Sequence, residues 1–167
     1  LTSYIIGLEV LAKIRNAATN ITHTRGWHAS SVYGAIGSAA ASTKALNLDE
    51  KQICHALGIA ACGAAGFGRQ TGYMTKPYQQ GNAARQGVMA ALLAQDGLTS
   101  SENIMEGRGG YMSMFHDEGQ YVPGKVAEGL GKPFHLVSPG ASIRKYPCPM
   151  VFQGAVDSLL EVLNDNR

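Results

Sequence analysis

Through the first hundred positions, apolar residues recur at three- and four-residue intervals. In residues 3–18, Ile5, Leu8, Leu11 and Ala12 share one face while Glu9, Lys13 and Asn16 lie elsewhere, which predicts an amphipathic helix. Residues 31–46 keep that period with small side chains: Gly34, Ala35, Gly37, Ser38, Ala39, Ala41 and Ser42. Such a helix packs close to its neighbours and is buried, with Ser30 or Ser31 as its N-cap. "NLDE" at 47–50 fits a capping box of Asn47 with Glu50, opening a third helix through Ile53, Leu57, Ala60 and Ala61. The loop "GAAGFGRQTGYMTKPYQQG" follows, and a fourth helix is expected from Asn82 to Gln95, stopping at Gly97.

Beyond Gly97 the pattern weakens. Short helical pieces are expected at 100–106 and 110–115, and a weak helix at 123–133 around Val126 and Leu130. "FHLVSPGASIRKYPC" reads as two strand-like pieces broken by the Pro139-Gly140 turn pair. Residues 149–164 return to a helical period, with Phe152, Ala155, Val156, Leu159, Leu160 and Leu163 apolar. The expectation is a mostly α chain: a helical body to about residue 132, then from 133 the opening of a smaller α+β unit.

Composition narrows the classes. Of 167 residues, 45% are hydrophobic and 16% charged, a globular balance rather than a disordered one. A net charge of +2 with no long basic run gives no sign of a nucleic-acid partner. The apolar stretches are too short for a membrane span, which needs roughly 20 residues. Three cysteines, Cys54, Cys62 and Cys148, form no CxxC and cannot all pair, pointing to a reducing, cytoplasmic setting, with a mitochondrial one the alternative. Five scattered histidines show no metal-ligand spacing, so neither metal nor cofactor is expected. The chain opens at Leu1 within a helical pattern, which reads as an internal segment of a longer protein.

Three places carry candidate chemistry. His28, in "RGWHASS", precedes a helix start, where free N–H groups and the helix dipole favour a carboxylate ligand and a neutral imidazole. The alternative is a loop histidine packed on Trp27. Lys76 stands alone in "TGYMTKPYQQG"; buried partly among Tyr73, Met74 and Tyr78 it would lose solvation and suit a carboxylate, the alternative being a surface lysine. Arg144 and Lys145 end a strand-like piece, so one of them faces any given pocket, as an anion ligand or as a solvated edge charge. Cys54 and Cys62 read as core filler, and His116 with Asp117 and Glu118 as a solvated turn.

"RGWHASSVYGAIGSAAASTKALNLDEKQICHALGIAACGAAG" and "MTKPYQQGNAARQGVMAALLAQDGLTSSENIMEGRGGYMSMF" closely resemble the MmgE/PrpD family of polycarboxylate enzymes. The motifs are a G-[WF]-H before a small-residue helix, L-D-E-x-Q opening the next, and M-T-K-x-x-x-x-G-x-A-A. The family includes 2-methylcitrate dehydratase, cis-aconitate decarboxylase and iminodisuccinate epimerase. The resemblance implies an all-helical domain over 1–132, the start of an α+β lid domain over 133–167, and a homodimer. It also implies catalytic roles for His28 and Lys76, and substrate contacts from Arg144 or Lys145 and from Gln79. Two departures are visible. Gln79 stands where many relatives have histidine, and Pro149 stands where the decarboxylase branch has one. On these grounds a hydro-lyase of the 2-methylcitrate dehydratase type, without metal, is expected. The alternatives are the decarboxylase or epimerase branch, or a non-catalytic relative kept as an interaction module.

Overall fold

The computed structural model describes residues 1–19 and 25–166. Four long helices form the body: α1 Thr2–Asn16, α2 Ala29–Ala45, α3 Glu50–Cys62 and α4 Thr75–Gln95. The small-residue α2 lies at the centre and packs against α1, α3 and α4. Its Val32, Ala35, Ile36 and Ala39 are fully buried, joined by Ile14 from α1 and Ala60 from α3. Each large aliphatic side chain so buried contributes about 1.5–3 kcal/mol.

The glycines and alanines set how close the helices come. A methyl group on Gly7 would lie 2.7 Å from the Gly37 carbonyl, and one on Gly87 would lie 2.4 Å from the Ala39 nitrogen. Backbones thus approach to contact at both crossings, and Ser38 Oγ donates to the Ala84 carbonyl at 2.9 Å across the α2–α4 seam.

Several boundaries differ from expectation. The N-cap of α2 is His28, not Ser30 or Ser31. The capping box of α3 is Asp49 with Gln52, not Asn47 with Glu50: Asp49 Oδ1 accepts the Gln52 N–H at 2.8 Å and Gln52 Oε1 the Asp49 N–H at 3.1 Å. Asn47, at φ 52°, turns the chain instead. Helix α4 starts seven residues before the expected Asn82. Pro77 falls in its first turn, where the backbone N–H groups have no intrahelical partner and its missing donor costs nothing. Gly97, in a left-handed conformation at φ 96°, ends the helix as expected.

Residues 100–106 form turns rather than a helix, pinned by Ser100, whose N–H donates to His55 Nδ1 and whose Oγ donates to the His55 carbonyl. A short helix, α5 Tyr111–Phe115, buries Tyr111, Met112 and Phe115 against the body, and the Tyr111 hydroxyl donates to the Val32 carbonyl at 3.0 Å. Only one turn of the expected 123–133 helix forms, α6 Gly124–Ala127. It sits on α1, where Glu9 accepts the Gly131 and His135 N–H groups at 2.9 and 2.6 Å. Lys13 donates to the Glu128 and Gly129 carbonyls alongside.

The expected strands in 134–148 do not form among the described residues; a turn at Leu136–Gly140 and an irregular stretch take their place. A strand needs a partner edge, and the β pairing among the described residues is limited to two isolated antiparallel bridges, Ala18 with Tyr121 and Trp27 with Phe67. The last helix, α7 Gln153–Asp165, buries none of its residues and leaves Leu159, Leu160, Val162 and Leu163 exposed. Cys62 is exposed rather than core filler. No helix among the described residues is long and apolar enough to cross a membrane.

Candidate active site

His28 is fixed from three sides. Residues 26–28 run antiparallel to 66–68: the His28 N–H donates to the Gly66 carbonyl at 3.0 Å and the Gly68 N–H to the Gly26 carbonyl at 2.7 Å. Trp27 stacks on Phe67 with centroids 6.1 Å apart and meets Phe115 edge-on at 5.0 Å. The His28 carbonyl accepts the Ser31 and Val32 N–H groups, opening α2. The residue is 93% shielded, and Nδ1 lies 2.6 Å from the Oγ of fully buried Ser31. That bond leaves Nε2 as the nitrogen available for chemistry. Burial, and then the positive charge of Lys76, hold the imidazole's proton affinity below its ordinary value.

Lys76 is not in a loop. It occupies the first turn of α4 and is half-buried. Tyr73, Met74 and Tyr78, expected to enclose it, are 66%, 92% and 68% exposed. These side chains are thus largely open to solvent, and no carboxylate among the described residues pairs with Lys76.

Gly66 is the pivot of the site. Its φ of +143° lies outside the range side-chain-bearing residues favour, and a methyl group there would sit 2.9 Å from Ser31 Cβ, 3.2 Å from His28 Cβ and 3.3 Å from Gln79 Oε1. Gln79 is itself buried. Its Oε1 accepts the Phe67 N–H and its Nε2 donates to the Phe67 carbonyl at 3.3 Å.

Arg144 and Lys145 lie in the irregular stretch after the Leu136–Gly140 turn, both exposed. Lys145 donates to Asp157 Oδ1 on α7 at 2.6 Å and lies 5.1 Å from the Tyr146 ring centre. The hydrogen bond to Asp157 leads in holding its ammonium above the ordinary lysine range. Arg144 has no ion pair among the described residues. Gln153 holds this stretch, accepting the Lys145 and Tyr146 N–H groups and donating to the Tyr146 and Cys148 carbonyls.

His28 and Lys76 thus belong to one constellation with Gln79, while Arg144 and Lys145 form another. A cleft of about 320 Å³ lined by Trp27, Cys62, Tyr111 and Phe115 includes neither His28 nor Lys76. His116 is buried rather than solvated. Its Nε2 lies 3.3 Å from the Tyr33 hydroxyl, whose proton affinity burial pushes up to about 12. Two contributors escape a reading by residue type, Ser31 and Gly66. The signal for Ser31 is the i, i+3 spacing H-x-x-S at a helix start; for Gly66 it is the second glycine of "GAAGFG".

The model of the MmgE/PrpD N-terminal domain matches residues 1–123. Cis-aconitate decarboxylase of Aspergillus terreus is 36% identical over 140 residues, 80% of this chain and 28% of that protein. A cis-aconitate decarboxylase-like protein of Aspergillus oryzae is 31% identical over 166 residues, 95% of this chain and 34% of its own length. The Homo sapiens cis-aconitate decarboxylase is 32% identical over 116 residues, 69% of this chain and 24% of its own length. The chain therefore spans between a quarter and a third of these relatives.

Proposed function

The chain belongs to the MmgE/PrpD family, and on that premise we propose that it carries one wall of a lyase active site for a polycarboxylate. The observation that supports the reading is a buried imidazole, fixed through Nδ1 by Ser31, whose proton affinity is lowered first by burial and then by the ammonium of Lys76, which has no carboxylate partner among the described residues. Chemistry beside a carboxylate builds negative charge on carbon, and preorganised cations stabilise that charge. Lys76 supplies one such cation. Arg144 is the stronger candidate for a second, since Lys145 is already engaged by Asp157.

Decarboxylation of a cis-aconitate-like tricarboxylate has the most support, because the similar relatives carry that name. The bond from carbon to one carboxylate breaks, carbon dioxide leaves, and the electron pair enters the allylic system, where carbon takes a proton. His28 fits as the donor. An incoming polycarboxylate offsets the Lys76 field, so the imidazole gains a proton as substrate binds and then delivers it.

A dehydratase of the 2-methylcitrate type is the second reading. It is favoured by Gln79 and Pro149, which replace two histidines, and by His28 being disposed to neutrality and so suited to remove a proton. Incubating the intact protein separately with cis-aconitate and 2-methylcitrate, followed by NMR, separates the two. Loss of a carboxylate carbon supports the first and loss of water the second; inertness toward both sinks the assignment. A homodimer is part of the same proposal, and sedimentation velocity tests it.

A further inference from the structure

We propose that Gln79 is a positioning residue that locks the His28 loop to the Lys76 helix through the backbone of Phe67. The inference rests on the reading that His28 and Lys76 act on one substrate.

The geometry is that of a side chain standing in for a strand. In extended backbone, the polar groups of successive residues point to opposite edges, so residues two apart share an edge. The strip 66–68 uses one edge, the Gly66 carbonyl and the Gly68 N–H, to bind residues 26–28. The other edge is the N–H and carbonyl of Phe67, and the Gln79 carboxamide meets both. One planar amide thus closes a ladder that has no third strand. Gln79 lies three residues, close to one helical turn, beyond Lys76 on the same rigid helix. His28 is one backbone hydrogen bond from the strip. Both reactive groups are therefore referenced to the same three residues.

This use leaves Gln79 little for a substrate. The residue is 92% shielded, and each of its polar atoms is engaged within the chain. Removing the amide would leave the Phe67 N–H unpartnered and the Phe67 carbonyl held only by the Gln70 N–H at 3.2 Å, so the strip would lose its tie to α4 and be free to shift, carrying His28 away from its placement beside Lys76. Misplacement on that scale lowers turnover by about 10- to 100-fold.

The test uses the intact protein with Gln79→Ala and Gln79→Glu, reading the His28 imidazole titration by NMR and, separately, kcat and KM. The expected result for Gln79→Ala is a His28 titration displaced upward toward the ordinary histidine value, with kcat reduced and KM little changed. In Gln79→Glu the ionised carboxyl faces the Phe67 carbonyl, whereas the protonated form donates to it. Turnover in that variant should therefore recover as the pH falls, an acid-shifted profile that a merely structural role would not give. Gln79→Glu keeps the side-chain volume and carries the titration test should the alanine variant fail to fold. An unchanged His28 titration overturns the proposal, as does a rise in KM at constant kcat, which would make Gln79 a substrate contact. Because the titration needs no substrate, it reads independently of whether the proposed activity is found.

Discussion

Replacing Glu9 by Gln should release the segment 128–135 from α1 while leaving the helical body folded. Glu9 is 97% shielded, and its two oxygens each accept one backbone N–H, from Gly131 at 2.9 Å and His135 at 2.6 Å. Hydrogen bonds to a charged group contribute about 1.5–3 kcal/mol each. A glutamine keeps one acceptor oxygen but turns an NH₂ toward the other N–H, so one bond is lost. Local opening of the segment should then become easier by about 1.5–3 kcal/mol, a rise in amide exchange of about 10- to 150-fold. Hydrogen exchange of the intact protein, read at Gly131 and His135 against the core amides of α2, measures this directly. Burial pushes the Glu9 carboxyl up, but the Gly131 and His135 amides and the Lys13 charge outweigh it, and the net shift is downward. The unfolded chain therefore binds the proton more readily. The contribution is complete above the ordinary glutamate range near ~4.3 and is lost as the pH falls through the lower folded value. Gln at position 9 should abolish that dependence. Unchanged protection of residues 128–135, or an equal loss throughout α2, would refute the latch.

Ser31→Ala should lower kcat by about tenfold or more by freeing the His28 ring, with the thermal midpoint falling by only a few degrees, measurable by parallel kinetics and melting. Gly66→Ala should do more damage than its size implies, since its methyl meets Ser31, His28 and Gln79 and its backbone favours glycine; a displaced His28 resonance with most turnover lost is the expected result. Arg144→Ala should raise KM for a polycarboxylate, whereas Lys145→Ala should act mainly through the Asp157 contact; equal KM effects would argue against the distinction.

The long helices are legible because their apolar period is strong, and α2 is legible as a close-packed centre because small residues permit little else. Starts are read less well. The sequence around Lys76 contains glycines and Pro77, which look like loop chemistry, yet proline is tolerated in a first turn and the helix begins at Thr75. Asp49 rather than Asn47 caps α3 because Asn47 turns at positive φ, a choice that propensity alone does not separate. The β-branched and aromatic residues of 134–148 suggested strands, but a strand requires an edge to pair with, which local pattern does not supply. His28 and Lys76 are readable as residue types. Their mutual placement through Gly66, Phe67 and Gln79 is not, because it depends on tertiary contacts that no local pattern carries, the pairing of 26–28 with 66–68 and the reach of Gln79 back to Phe67.

The most direct test of the central claim follows cis-aconitate with the intact protein in D₂O by NMR, alongside His28→Ala and Lys76→Ala. The account predicts turnover with solvent deuterium delivered to one carbon of the product, and loss of that signal in both variants. Turnover that survives either substitution undiminished would contradict it.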